Sequence, residues 1–218
     1  MNLWIFDNDG TLYDDSGIRD NFPMIFSEYF SNIVGIKKCE VPSKIIELKS
    51  KWNTELSVLA MVKEYNVDFD LAVENTYLKL DFDKCKIIKD DTIFNTLTAI
   101  KDTKIVFTNS PSIFAKKILL HSGLIGFFSS FFGIQESNFI EKPNLNAYTS
   151  IQNHFSNYEK IIFCDNSLVN LEVAKSLGWI TIWYRQNKES FDKEVNKKHI
   201  IIDSFDELLS LQEKLLKF

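Results

Sequence analysis

The sequence predicts an α/β protein: a parallel sheet covered by helices on both faces, interrupted by a helical insertion. Three observations predict it. Short apolar runs of strand length recur and end on polar residues. Helical patterns with readable start and stop signals lie between those runs. One long stretch after the first run carries helical spacing alone. Strands alternating with helices favour a parallel sheet, because each crossover lays a helix on one face.

The first strand is expected at residues 3–6, an apolar run that stops at Asp7. Residues 104–107 stop in the same way at Thr108, and residues 161–164 at Asp165. Residues 181–184 and 199–202 complete the set of expected strands. Ser110-Pro111 opens a helix that Gly123 closes, and Gly178 closes another over 167–177. Ser204-Phe205-Asp206-Glu207 is a capping box that starts the last helix. Between about 16 and 100 the pattern changes. Ile18, Phe22, Ile25, Phe26, Tyr29, Phe30 and Ile33 keep helical spacing, as do Ile45, Leu48 and Trp52, then Leu56, Leu59 and Val62. The expected division is therefore 1–15 with 101–218 as the α/β part and 16–100 as a helical insertion. Its aromatic stripes read as core, and Asp14 and Asp15 as caps of its first helix.

Composition narrows the function. At 218 residues with 45% hydrophobic and 25% charged content, the chain buries a core without staples. A net charge of −5 argues against a nucleic-acid partner, whose footprint would be basic. No apolar run approaches the roughly 20 residues of a membrane span, and the amino-terminal residues run into aspartates instead of a secretory signal. Cys39, Cys85 and Cys164 are scattered without metal-ligand spacing, so reduced thiols and a cytoplasmic location are expected.

In open parallel sheets, ligands sit at the carboxyl ends of strands. The residues expected there are Asp7 and Asp9, Thr108 with Asn109 and Ser110, Asp165, and Lys142 from a loop. This set suits a phosphoryl group beside a divalent cation. The Asp7 carboxylate can attack phosphorus and split one hard displacement into two through an aspartyl phosphate. Asp9 can protonate the leaving oxygen and later activate water. Gly10 lets the backbone turn so that its amides, and that of Asn8, face phosphate oxygens. Thr108 offers a hydroxyl, with Asn109 beside it and Ser110 at a helix start where anions bind. Lys142 balances charge, and Asp165 is a hard oxygen ligand for magnesium, with manganese equally suited.

These residues also carry a resemblance. Phe6-Asp7-Asn8-Asp9-Gly10-Thr11-Leu12-Tyr13 resembles the first motif of the haloacid dehalogenase (HAD) superfamily, Phe107-Thr108-Asn109 its second, Lys142-Pro143 its third and residues 165–170 its fourth. Tyr13 and the Asp-x-Ser-x-x-Asn arrangement are closest to its pyrimidine 5′-nucleotidase-like phosphatases. The resemblance implies a three-layer Rossmann-like core with an inserted helical cap. It implies Asp7 as nucleophile and metal ligand, Asp9 as acid–base and backbone-carbonyl ligand, Thr108 and Lys142 as phosphate-stabilising groups, and Asp165 as the acidic metal ligand. The expected activity is magnesium-dependent hydrolysis of a small phosphomonoester, with nucleoside 5′-monophosphates among the candidates. A phosphotransferase or sugar-phosphate mutase shares the motifs, and a phosphate-ester binder without turnover is the rival from another class. Two departures stand out: Asn166 replaces a second acid, and Trp52-Asn53 replaces an aromatic–glycine pair.

Overall fold

Six segments pair edge to edge: β1 (Asn2–Phe6), β2 (Thr103–Phe107), β3 (Ser130–Phe132), β4 (Lys160–Asp165), β5 (Ile180–Tyr184) and β6 (Ile200–Ile202). A computed structural model describes residues 1–185 and 198–215. The strands form one sheet in the order β3-β2-β1-β4-β5-β6, every pair parallel. The chain builds outward from β1 to β3 and then returns to β4 on the other side of β1, which makes the β1–β4 boundary the switch point. Register brings the chemistry level there. Phe6 lies opposite both Val106 and Cys164, so Asp7 emerges beside Asp165. The Asp7 amide also donates to the Cys164 carbonyl at 2.9 Å.

Both faces of the sheet are buried, which is why the strands read as continuous apolar runs. On one face Phe107, Phe163, Tyr148 and Trp179 meet edge-on or tilted, with centroids 5.2 to 6.2 Å apart. On the other, Phe6 packs against Trp4, Phe128 and Phe205. Each fully buried ring of this kind contributes about 2–3 kcal/mol.

The helices of this part are α5 (Asp91–Ala99), α6 (Ser112–His121), α7 (Leu145–His154), α8 (Leu168–Ser176) and α9 (Glu207–Leu215). Gly123 and Gly178 take the left-handed backbone expected of helix stops, with φ of 75° and 81°. Of the capping box at 204–207, the reach of Glu207 back to the Ser204 amide is present at 3.0 Å. β3 was not anticipated. It is three residues long at the sheet edge, too short for a periodic signal. α7 was also missed, since Asn144 caps it through the Asn146 amide but few apolar residues mark its face.

The chain divides into two compact units, Met1–Asp14 with Ile88–Phe218, and Asp15–Ile87. Residues 88–100, expected with the insertion, thus group with the sheet. Asp90 caps α5 through the amides of Thr92 and Ile93, and the Thr96 hydroxyl donates to the Phe205 carbonyl at 3.1 Å. Amphipathic spacing in α5 marks a buried face without saying which core buries it.

The second unit is helical: α1 (Ser16–Val34), α2 (Val41–Trp52), α3 (Ser57–Tyr65) and α4 (Phe69–Asn75). Of its expected stripe, Phe26, Phe30 and Tyr77 are buried, with half-buried Phe22 and Tyr65 in ring contact with them, whereas Ile33 and Trp52 are exposed. Asp15 stands at the N-cap of α1 without capping it by its side chain, and its carboxylate pairs instead with Arg19 at 3.0 Å. Gly17 is required by space, since a Cβ there would sit 1.9 Å from the Cys85 carbonyl oxygen. Asn53 ends α2 with φ 47° and ψ 57°, so it fills the left-handed position where a glycine was expected.

Candidate active site

Lys142 is the centre of the cluster. Its ammonium donates to Asp7 Oδ1 at 2.7 Å, to Asp165 Oδ2 at 3.0 Å and to the Phe107 carbonyl at 2.8 Å. The same ammonium lies 5.0 Å and 5.3 Å from the ring centroids of Phe107 and Phe163. All three charged side chains are buried. A buried ammonium needs such a complete set of partners, because each lost partner would leave an uncompensated charge.

The loop after β1 places the other groups. Gly10 adopts φ 72°, and the Asn8 carbonyl accepts from the Thr11 and Leu12 amides at 3.2 and 2.9 Å. The turn brings the Thr11 hydroxyl to Asp7 Oδ2 at 3.2 Å and the Tyr13 hydroxyl to Asp9 Oδ1. From β2, the Thr108 hydroxyl donates to Asp9 Oδ2 at 2.9 Å and accepts the Ser110 amide at 3.0 Å.

Asp7, Asp165 and Lys142 are brought together, and Asp9 with Thr108 beside them in the same loop network. The surroundings of Asn109, Asn8 and the helix start after Ser110 are as follows. The Asn109 side-chain amide donates to the Lys142 carbonyl at 2.9 Å and its oxygen accepts the Lys142 amide at 2.7 Å. It fixes the loop that carries the lysine. Asn8 is fully buried and its side-chain amide has no hydrogen-bond partner among the described residues. At the helix start after Ser110, the Ser112 amide donates to Gln135 Oε1 at 3.4 Å and its hydroxyl to Glu136 Oε1 at 2.8 Å.

Thr11, Tyr13 and Asn170 hold the carboxylates and were not in the expected set of site residues. Asn170 donates to Asp165 Oδ2 at 2.9 Å, and the Ser167 amide donates to Asp165 Oδ1 at 2.7 Å. A signal for the first two exists in the sequence: each hydroxyl stands four residues after its aspartate.

Electrostatics follow from burial. Burial raises the Asp7 carboxyl, Lys142 draws it back, and Asp165 and Asp9 push it up again, so it reaches about 7. Burial pulls the Lys142 ammonium down, but Asp165 and Asp7 outweigh this and hold it above its ordinary value. Two buried carboxylates thus share one ammonium and leave an excess negative charge.

A family profile described as haloacid dehalogenase-like hydrolase matches residues 1–178. The chain belongs to the haloacid dehalogenase-like hydrolases. Solved HAD structures have the same fold. YfnB from Bacillus subtilis, assigned as a HAD-hydrolase and described as bound to magnesium, is 17% identical over 96% of this chain and 97% of its own, with a TM-score of 0.62. A HAD phosphatase from Thermococcus onnurineus is 18% identical over 97% of this chain and 98% of its own, with a TM-score of 0.63. The L-2-haloacid dehalogenase from Xanthobacter autotrophicus is 11% identical over 97% and 98%, with a TM-score of 0.61. At these identities the likeness speaks for the fold. No curated protein matches the chain.

Among the described residues no group of three histidine, cysteine or acidic side chains is assembled for a metal ion. The cluster offers two converging carboxylates, Asp7 and Asp165, that share one ammonium. Magnesium is commonly held by one or two carboxylates together with water and substrate phosphate, so this donor set fits it. No helix among the described residues is long and apolar enough to cross a membrane.

Proposed function

We propose that the protein is a magnesium-dependent phosphomonoester hydrolase that works through an aspartyl phosphate on Asp7. The observation that carries the reading is the buried Asp7–Lys142–Asp165 cluster with the Asp9 carboxyl two residues from the nucleophile, gripped by hydroxyls.

Asp7 Oδ attacks phosphorus, and the bond from phosphorus to the leaving oxygen breaks as the new bond forms. Asp9 gives its proton to that oxygen, which leaves as an alcohol. In the second half, Asp9 takes a proton from water, the water oxygen bonds to phosphorus, and the Asp7–phosphorus bond breaks to release phosphate. Lys142 holds the Asp7 carboxylate in place and offsets charge on the transferred group. Asn109 and the Phe107 carbonyl keep the lysine where it can do so. Asn8 and Gly10 take part through the backbone of the tight loop, and Thr108 through its hydroxyl. Ser110 contributes by fixing Thr108.

Asp7 and Asp165 would hold the magnesium ion, together with the Asp9 carbonyl; manganese suits the same oxygens. When bound, the cation supplies positive charge that keeps Asp7 ionised and polarises the phosphoryl group. An acid at Asp9 favours a phosphate ester over a carbon–halogen bond, because an alkoxide needs a proton to leave and a halide does not. The proposed substrates are small phosphomonoesters, nucleoside 5′-monophosphates first among them. The helical unit 15–87 is proposed as the cap that recognises the leaving group. Free thiols at Cys39, Cys85 and Cys164 accord with a cytoplasmic setting.

Phosphate release from a panel of nucleoside monophosphates, sugar phosphates and phosphoglycolate tests this, with magnesium, for wild type and Asp7→Asn. Release by wild type that disappears in the variant supports the hydrolase. Tight ester binding without release at any magnesium concentration contradicts it.

A further inference from the structure

Two carboxylates in the loop after β1 each receive a hydroxyl from four residues further on. Thr11 Oγ1 lies 3.2 Å from Asp7 Oδ2, and Tyr13 Oη donates to Asp9 Oδ1. One turn makes both pairs. The Asn8 carbonyl accepts from the Thr11 and Leu12 amides, and the backbone of Tyr13 then pairs alongside that of Asp9. A helical turn of this kind carries residue i+4 back over residue i.

Tyr13 is 4% exposed, so its hydroxyl works inside the protein. Its phenol O–H stays near the ring plane, so packing of the ring confines it to two directions, one of which meets Asp9 Oδ1. Asp9 Oδ2 is held separately by Thr108, which the Ser110 amide fixes in turn at 3.0 Å. The Asp9 carboxyl is therefore gripped at both oxygens by hydroxyls from two different elements. Two such contacts set both the rotation and the plane of the group.

We propose that Tyr13 is the positioning residue for the acid–base carboxyl: by holding Asp9 Oδ1, it leaves Oδ2 as the oxygen that exchanges the proton. The inference rests on the hydrolase reading above. In the first half-reaction the proton on Oδ2 goes to the leaving oxygen as its bond to phosphorus breaks and the Asp7–phosphorus bond forms. In the second, a water proton returns to Oδ2 as the water oxygen bonds to phosphorus and the Asp7–phosphorus bond breaks. Tyr13 keeps its own proton throughout. The Thr108 oxygen stays fixed while its hydrogen can turn about the C–O bond, so it donates to Oδ2 when that oxygen is bare and turns aside when Oδ2 carries the proton meant for the leaving oxygen.

The test is the kcat/KM of Tyr13→Phe on a nucleoside 5′-monophosphate and on p-nitrophenyl phosphate. The nucleoside leaves as an alkoxide that needs a proton, whereas nitrophenolate leaves without one. Positioned acid catalysis contributes about 100-fold or more, so the variant should lose roughly tenfold or more on the nucleotide and about twofold or less on the aryl ester. The ratio of the two values cancels the fraction of folded enzyme. Should Tyr13→Phe not fold, Tyr13→Met, a smaller apolar side chain, is expected to shift the ratio in the same direction. An unchanged ratio, including an equal loss on both esters, overturns the role of Tyr13. Asp7→Asn separates the two levels: it should abolish turnover of both esters. If it does so while the Tyr13→Phe ratio is unmoved, only the Tyr13 role fails. If Asp7→Asn keeps full turnover, the hydrolase reading fails with it.

Discussion

Asn109 and Lys142 are joined by two hydrogen bonds of opposite sense, the Asn109 amide to the Lys142 carbonyl and the Lys142 amide to the Asn109 oxygen. The asparagine next to Thr108 therefore acts on the loop that carries the buried ammonium. Asn109→Ala should lower kcat about 10-fold or more with a smaller change in KM, since each net hydrogen bond contributes about 1 kcal/mol and the lysine loses its fixed base. Steady-state kinetics on the preferred ester checks this. A rise in KM alone would instead return Asn109 to substrate contact.

Asn166 follows Asp165, one of the proposed magnesium ligands. Its side chain is exposed, and its carbonyl accepts the Trp183 indole N–H at 3.1 Å. Asn166→Asp adds a carboxylate near the proposed cation without disturbing that backbone contact. The magnesium concentration at half-maximal activity should fall severalfold, as should the midpoint for magnesium-induced thermal stabilisation. Neither midpoint moving would count against a role for this position in metal affinity.

In metal-free buffer, stability should carry the signature of Asp7. Its carboxyl moves from 3.8 to about 7 on folding, chiefly through burial. The folded state then binds a proton that the unfolded state has lost, so this contribution is complete below about 4 and is lost as pH rises through about 7. Wild-type stability should fall relative to Asp7→Asn across that window, at a slope approaching about 1.4 kcal/mol per pH unit. Urea denaturation of both proteins with a chelator present measures it. Parallel pH profiles would show that Asp7 is not held in this state.

Asn53 gives a test in the helical unit. With φ 47° it occupies a position that glycine takes freely and alanine does not. Asn53→Gly should be neutral or slightly stabilising, while Asn53→Ala should cost about 1 kcal/mol. Thermal melts compare the two. Equal stability of both variants would contradict the backbone argument.

The sheet was legible because its strands are buried on both faces and end on chemically distinctive residues. Asp7, Thr108 and Asp165 each mark where an apolar run stops, and register places Asp7 level with Asp165. β3 was not legible, since its three residues carry no period, and α5 was given to the wrong neighbour because spacing does not name a partner. At the site, residue types showed which groups could do chemistry but not which groups held them. Asn109 and Ser110 sit at the end of β2 where ligand contacts are expected, and the structure adds that the Asn109 side chain bonds to the Lys142 backbone and the Ser110 amide to Thr108. Those partnerships span 33 residues in one case and follow from the fold, not from local pattern.

A covalent phosphoryl group on Asp7 is the step on which the proposed hydrolysis depends, and trapping it is the direct measurement. Wild type mixed with a nucleoside 5′-monophosphate and magnesium, quenched in acid within milliseconds and digested, should yield the peptide containing Asp7 heavier by one phosphoryl group. The label should be removed by hydroxylamine and absent from Asp7→Asn. Phosphate released at the same rate with no label on Asp7, or with the label on another residue, would contradict the account.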